Sequence, residues 1–125
     1  MEIKIKFSFS EVQTEVEGEL FSTSLAQKIA DILPYETRVN TWGKEIYFSI
    51  PVKSSIQTPQ ETVERGDIAY WPEGACLCLF FGPTPISAAS EIRPASPVEV
   101  VGRISSYHAL EKVPSGCSVK VEKLV

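Results

Sequence analysis

Hydrophobic and polar residues alternate along the first part of the chain. Apolar side chains occupy every second position from Ile3 to Phe9, and the same period of two returns from Val12 to Val16. Successive side chains of a β-strand point to opposite faces, so both segments are typical of strands with one buried face. Ser10 and Glu11 separate the two segments, although they are not one of the strong tight-turn pairs. The pattern predicts an amphipathic hairpin.

A helical period replaces this alternation in the next segment. Apolar residues fall at helical spacing within Ser24–Leu33. Ser22 or Thr23 is placed to cap the start of a helix, and Pro34 cannot continue one. The spacing therefore predicts one helix over Ser24–Leu33.

The rest of the chain returns to short β patterns separated by turns. The predicted strands are Thr37–Trp42, Glu45–Ile50, Ile68–Trp71, Cys76–Phe81, Val98–Ile104 and Cys117–Leu124. Together with the hairpin they make about eight strands, and such spacing favours a barrel over a layered α/β fold. We therefore predict a mainly β fold, a closed eight-stranded antiparallel β-barrel with one or two short helices. The second helix is a short turn around Tyr107–Glu111.

Two polar segments and one apolar segment differ from the alternating strands. Pro51–Glu64 is predicted to be a loop with a helical turn at Gln60–Glu64. Cys76–Phe81 is apolar at every position and is predicted to be buried on both faces. Ser87–Pro97 is small, polar and rich in proline, and it is the longest irregular stretch. Long loops on a rigid scaffold often carry function, so this loop is a candidate wall of a site, with a plain surface connection as the alternative.

Composition narrows the class of protein. The 125 residues, of which 43% are hydrophobic and 22% charged, are expected to form a single domain over residues 1–125. Twelve Lys and Arg against sixteen Asp and Glu give a net charge of −4, without the basic surplus that nucleic acids and anionic membranes require. The N-terminus lacks the continuous apolar centre of a secretory signal. We therefore predict a cytoplasmic protein with neither nucleic acid nor membrane as a partner.

The residues that most often carry chemistry are sparse. Cys76 and Cys78 lie two apart on a predicted buried strand, where their thiols are expected to be unreactive, and all three cysteines of the chain are expected to be reduced. His108 is the only histidine and has no cysteine or carboxylate at metal-ligand spacing. The sequence therefore predicts no metal, no cofactor and no catalytic residue.

Three blocks of sequence suggest a family. Gly66–Pro72, Cys78–Ile86 and Val100–Ile104, in this order, resemble the small prokaryotic cyclophilin-like proteins, which are reduced relatives of the peptidyl-prolyl isomerases. The likeness covers most of the chain, and the Phe80–Phe81 pair is similar to the double phenylalanine of the central cyclophilin strand. The resemblance implies an eight-stranded barrel with helical plugs, in agreement with the strand count.

The resemblance does not extend to the cyclophilin groove. There an arginine donates hydrogen bonds that weaken the X-Pro amide, whose rotation barrier is ~18–20 kcal/mol. The matching segment here, Tyr47–Pro51, contains no arginine, and Leu79 stands in place of a groove glutamine. Ser96–Glu99 offers no counterpart of the groove histidine and tryptophan, whereas Phe81 matches a hydrophobic wall position. Prolyl isomerisation is therefore predicted to be absent or negligible.

The remaining candidate chemistry is an arginine beside aromatic residues. Arg38 precedes Trp42 by four residues, an even offset that places both on one face of the predicted strand. Such a pair can hold a ligand carboxylate or a peptide carbonyl, with an ion pair to an acidic residue as the alternative for the arginine. We predict a ligand face formed by Arg38, Trp42, Phe81 and the loop Ser87–Pro97.

Three classes of function follow from these observations. The preferred one is a binding module for an unidentified small molecule or extended peptide. The second is a weak peptidyl-prolyl isomerase, or another small-molecule enzyme with a rebuilt groove. The third is a structural subunit that forms a homodimer through a barrel edge.

Overall fold

The computed structural model describes residues 2–124. The strands are β1 Ile3–Phe9, β2 Thr14–Leu20, β3 Tyr35–Arg38, β4 Asn40–Thr41, β5 Glu45–Ser49, β6 Asp67–Trp71, β7 Cys76–Phe80, β8 Glu99–Ile104 and β9 Ser118–Lys123. One α-helix, α1, spans Ser24–Asp31, and two short 3-10 helices span Ser10–Val12 and Tyr107–Lys112. The predicted helical turn near Tyr107 is confirmed.

The nine strands form one antiparallel sheet in the order β3-β9-β1-β2-β8-β6-β7-β5-β4. Its two end strands, β3 and β4, are separated in sequence by Val39 alone. The backbone of Val39 is held to the β9 side of the sheet, since its N–H donates to the Cys117 carbonyl at 2.8 Å and its carbonyl accepts from Gly116 N at 2.8 Å. The sheet therefore curls into a nearly closed barrel.

The predicted fold class is confirmed in outline and corrected in detail. The fold is mainly β, antiparallel and barrel-like, but it has nine strands rather than eight and is nearly closed rather than closed. The difference arises within the predicted strand Thr37–Trp42, which is broken at Val39. The first half belongs to β3 and pairs with β9, whereas the second half forms β4 and pairs with β5.

Helix α1 begins at the predicted residue and ends slightly earlier than predicted. The Thr23 hydroxyl accepts a hydrogen bond from Ala26 N at 3.2 Å, so Thr23 is the N-cap. The helix ends at Asp31, and a closing turn brings the chain to Pro34. Its buried side chains, which pack against the interior of the barrel, are Leu25, Ala26, Ile29 and Ala30. Within residues 2–124, no helix is long and apolar enough to cross a bilayer.

The sheet separates two apolar cores. The first core fills the barrel interior, and Leu77 and Leu79 of β7 belong to it. The second core lies on the opposite face of β7, where Cys76, Cys78 and Phe80 contact residues of the long loops. Every residue of β7 is buried, which confirms that this strand is covered on both faces.

The second core exists because the two long loops pair with each other over the outer face of the sheet. Gln60 and Val98 exchange two backbone hydrogen bonds, at 2.7 and 3.1 Å, and Val63 N donates to the Ile92 carbonyl at 2.9 Å. The predicted helical turn at Gln60–Glu64 is wrong, because bridge pairing in this segment holds it in an extended conformation.

Candidate functional site

A cavity of about 150 Å³ lies between the outer face of β5, β6 and β7 and the loop of residues 81–98. We call it the outer-wall cavity. Its walls are mostly apolar or aromatic, and they are formed by Trp42, Glu45, Tyr47, Trp71, Cys78, Pro94, Ala95 and Val98. This volume is large enough for one small chemical group, since an apolar cavity of about 150 Å³ accepts a molecule the size of benzene.

The tight turn between β4 and β5 positions one side of the cavity. Trp42 and Glu45 exchange backbone hydrogen bonds at 2.9 and 3.2 Å, and Gly43 supplies the positive φ of +59° that the turn requires. Alternation along β5 then directs Glu45 and Tyr47 to the outer face. A charged residue and two aromatic residues are thereby brought to one wall.

Strand register brings the floor residues together. Tyr47 lies directly opposite Cys78 in the pairing of β5 with β7, and Cys78 lies opposite Ala69 in the pairing of β7 with β6. The side chain of Trp71, two residues beyond Ala69 on β6, points to the same face of the sheet as that of Ala69. The small side chain of Cys78 therefore lines the cavity together with the larger rings of Tyr47 and Trp71.

The loop that forms the outer wall is folded upon itself. The Ser87 hydroxyl accepts from Thr84 N and from Arg93 N, both at 2.9 Å. Thr84 Oγ1 donates to the Arg93 carbonyl at 2.5 Å, and the Arg93 guanidinium binds both carboxylate oxygens of Glu91 at 2.7 and 3.1 Å. These bonds fix the loop before any ligand is present, so the cavity wall is preformed.

One hydrogen bond joins this loop to the aromatic floor. Trp71 Nε1 donates to Ser96 Oγ at 2.6 Å. Since the indole has no other donor, this bond fixes the orientation of the Trp71 ring beside the cavity. Pro94 and Ala95, immediately before Ser96, are thereby held in the wall of the cavity.

Glu45 is the one acidic residue of the cavity lining, and its side chain is almost completely covered. The residue is only 5% exposed. Burial raises the pKa of its carboxyl from 4.5 to about 7, and the Cys78 thiol, which hydrogen-bonds to it, acts in the opposite direction. Within residues 2–124, no lysine or arginine forms an ion pair with this carboxyl. Near neutral pH the cavity therefore holds a carboxyl group that is balanced between its two protonation states.

The thiol beside Glu45 is chemically quiet. Burial and the neighbouring carboxyl raise the pKa of Cys78 well above its ordinary value, and the same two causes raise the pKa of Cys76. Both residues are buried, as predicted. A neutral buried thiol is a poor nucleophile, so Cys78 contributes a small polarisable surface to the cavity rather than a reactive group.

Of the predicted ligand face, the structure brings only Trp42 and the loop to this cavity. Arg38 is exposed at the end of β3, where Nη1 donates to the Gly116 carbonyl at 2.8 Å and lies 3.5 Å from Glu11 Oε2. The prediction that Arg38 and Trp42 lie on one face of a single strand is wrong, because the strand is interrupted at Val39 between them. That a ligand contacts Arg38 stays a prediction.

Phe81 belongs to a different part of the molecule. It is buried with the first core, and Lys44 Nζ lies 5.9 Å from the centre of its ring. It therefore lies outside the lining of the outer-wall cavity, and its contact with a ligand also stays a prediction.

His108 lies away from the cavity and is exposed, with its ring centre 4.4 Å from that of Tyr107. Across residues 2–124, no group of three His, Cys, Asp or Glu side chains is arranged to hold a metal ion.

Sequence reasoning did not single out Glu45 as a site residue. The signal was available in part, because period two along Glu45–Ser49 places Glu45 and Tyr47 opposite the apolar Ile46 and Phe48. From the sequence pattern alone, a glutamate on that face is expected to be exposed to solvent. In the structure it is instead buried, beside the Cys78 thiol and in a cavity lining that it shares with Pro94 of the distant loop.

Comparison with known proteins places this chain in a family. The sequence pattern of the cyclophilin-like proteins matches residues 1–122, so the chain belongs to the cyclophilin-like family. The solution structure of a hypothetical protein from Archaeoglobus fulgidus is similar, with a TM-score of 0.82 and 41% sequence identity. The match covers 98% of this chain and 95% of that chain. No curated protein matches the chain. The family resemblance drawn from three sequence blocks is confirmed.

Proposed function

We propose that this protein is a binding module for a small molecule and that the outer-wall cavity is its binding site. The observation that carries the proposal is the combination, in one preformed cavity, of the rings of Trp42, Tyr47 and Trp71 with the buried carboxyl of Glu45. Apolar walls with a few placed polar groups are the usual composition of ligand sites.

The dimensions favour a small molecule over an extended peptide. A cavity of about 150 Å³ accommodates one ring or one branched group and not a peptide segment. A ligand of about five to eight non-hydrogen atoms therefore fits, or a longer one that places such a group inside and leaves the rest at the mouth.

Isomerase activity is not part of this proposal. The cavity accommodates one ring or one branched group, so it does not take up the two residues that an X-Pro amide joins. Arg93 is the one arginine in the loop. Its guanidinium binds Glu91 at a distance of 2.7 Å and lies 3.6 Å from the carboxylate of Glu61.

The cytoplasm remains the compartment that we propose for this function. The three buried cysteines of the chain support it, since a reducing compartment keeps such thiols unpaired. Fractionation of cells that express the tagged chain tests this point, and recovery outside the cytosolic fraction would contradict it.

The binding proposal is tested by intrinsic fluorescence. The chain has two tryptophans, and both line the outer-wall cavity, so emission reports directly on its occupation. The experiment titrates the protein with a set of neutral and charged fragments of about five to eight non-hydrogen atoms. We expect saturable changes in emission with a chemically related subset of the fragments. If no fragment changes the emission, the proposal is refuted.

A pair of matched variants locates the binding. Ala95→Leu narrows the mouth of the cavity, whereas Ala88→Leu adds the same side chain to an exposed position of the same loop outside the lining. We expect the first variant to lose binding and the second to retain it. Equal binding by both variants would place the site elsewhere.

A further inference from the structure

We propose that the outer-wall cavity selects a small organic cation, with its charged head held between the rings of Trp42 and Trp71 and paired with Glu45. This inference rests on the proposed binding function and adds the chemical class of the ligand. It stands on the position of one buried carboxyl and on what surrounds it.

Within residues 2–124, no basic side chain forms an ion pair with Glu45. Lys44, its neighbour in sequence, reaches away from the cavity, with Nζ 3.0 Å from Glu111 Oε1. Arg93, which precedes the lining residue Pro94, is occupied by Glu91 at 2.7 Å. The basic groups nearest in sequence to the cavity walls are therefore already paired.

A buried carboxylate without a cationic partner is unfavourable. Proteins normally pair such a group or neutralise it with a proton. Here the protein side offers a thiol from Cys78, which is a weak donor. The cavity beside Glu45 leaves room for a ligand that supplies the missing positive charge.

The aromatic walls of the cavity also favour a cation. The faces of Trp and Tyr rings carry partial negative charge and attract cations within about 6 Å, with Trp the most effective. Trp42, Tyr47 and Trp71 line the same cavity as Glu45, so rings and carboxyl favour the same charge. A ligand anion would meet only repulsion from Glu45, and a neutral ligand would use the apolar walls without satisfying the carboxylate.

Binding of a cation requires Glu45 to be ionised, so affinity depends on pH. The titratable groups that face Glu45 are Cys78 and Cys76 of β7 and Tyr47 of β5, whereas β6 contributes Trp71 and the loop contributes Pro94, Ala95 and Val98. Burial raises the pKa values of both thiols, so they stay neutral between pH 6 and 8. With a pKa of about 7 for Glu45, the ionised fraction and hence the affinity rise about tenfold from pH 6 to pH 8.

The experiment compares two probes of the same shape. Choline carries a trimethylammonium head, and 3,3-dimethyl-1-butanol is its uncharged carbon analogue. Each is titrated at pH 8 with tryptophan emission as the readout, and tetramethylammonium is included as the head group alone. We expect choline to bind about tenfold or more tightly than the neutral analogue, since a desolvated cation-π contact adds to the ion pair.

Two variants assign the effect to the buried carboxyl. Glu45→Gln keeps the size of the side chain and removes its charge, so the preference for choline is expected to disappear while the neutral analogue still binds. Glu36→Gln removes the same charge from an exposed position of β3 and is expected to behave as the unaltered protein. If Glu45→Gln fails to fold by circular dichroism, the pH profile of the unaltered protein decides, since a flat profile for choline overturns the proposal.

The failures of the two proposals are distinguishable. Equal binding of choline and its neutral analogue, or binding of neutral fragments alone, overturns the cation proposal and leaves the binding function standing. Absence of any change with all probes, charged and neutral, overturns both.

Discussion

The ionisation of Glu45 has a direct consequence for stability, and the substitution Glu45→Gln exposes it. Burial raises the pKa of this carboxyl from 4.5 to about 7, so the folded state holds the proton more tightly than the unfolded chain does. The resulting stabilisation is fully present below pH 4.5 and is lost as the pH rises through 7. One pKa unit corresponds to about 1.36 kcal/mol, so the shift corresponds to about 3 kcal/mol. A glutamine at this position does not ionise and escapes that loss.

The expected result is a pH-dependent difference between two unfolding curves. Near pH 4 the Glu45→Gln variant and the unaltered protein should differ by no more than about 1 kcal/mol, the usual size of one hydrogen bond. Near pH 8.5 the unfolding free energy of the variant should exceed that of the unaltered protein by about 3 kcal/mol, in addition to any difference found near pH 4. This gain corresponds to about 10 °C in Tm for a chain of 125 residues. Urea unfolding, followed by circular dichroism at both pH values, measures the change.

Glu36→Gln serves as the control, because it removes an equivalent charge from an exposed position. Its curves should follow those of the unaltered protein at both pH values within about 0.5 kcal/mol. A constant stability difference between Glu45→Gln and the unaltered protein across this range would refute the reasoning, since it would show that Glu45 titrates alike in both states.

Three further predictions follow from the same structure. Ser96→Ala removes the acceptor of the Trp71 indole and should cost about 1 kcal/mol in unfolding free energy and alter tryptophan emission, whereas unchanged emission would show that the bond does not position the ring. Cys76 and Cys78 should react slowly with a thiol reagent in native protein and rapidly in urea, and fast native labelling of both would contradict their burial. A coupled assay on an X-Pro peptide should give no rate enhancement, and an enhancement abolished by Phe81→Ala would show that groove chemistry survives.

Much of the fold was predictable because its strands follow local rules. The alternation in β1 and β2, the cap at Thr23 and the two-sided burial of β7 are each readable from neighbouring residues and a fixed period. The break at Val39 was not, since both sides of it keep a β pattern. Which strand each half joins is decided by distant partners, β9 for one and β5 for the other.

The site was less predictable than the fold for the same reason. Period two could place Glu45 and Tyr47 on one face, but the face became a cavity only when the loop was held there by the Trp71–Ser96 bond and by the pairing of Gln60 with Val98. Contacts between residues far apart in sequence leave no periodic trace. Trp42 was a candidate from the sequence, whereas its grouping with Tyr47 and Trp71 around one carboxyl was not predictable.

The short end strands of the sheet also bear on how the folded protein avoids aggregation. Exposed strand edges are templates for pairing with other chains, and long flat edges are the most hazardous. Here the edge strands, β3 and β4, have four and two residues and are joined directly through Val39. An incoming strand from another molecule would find only a brief run of backbone before meeting that connection. We therefore expect edge-to-edge assembly, including dimerisation by strand addition, to require opening of the β3–β4 corner.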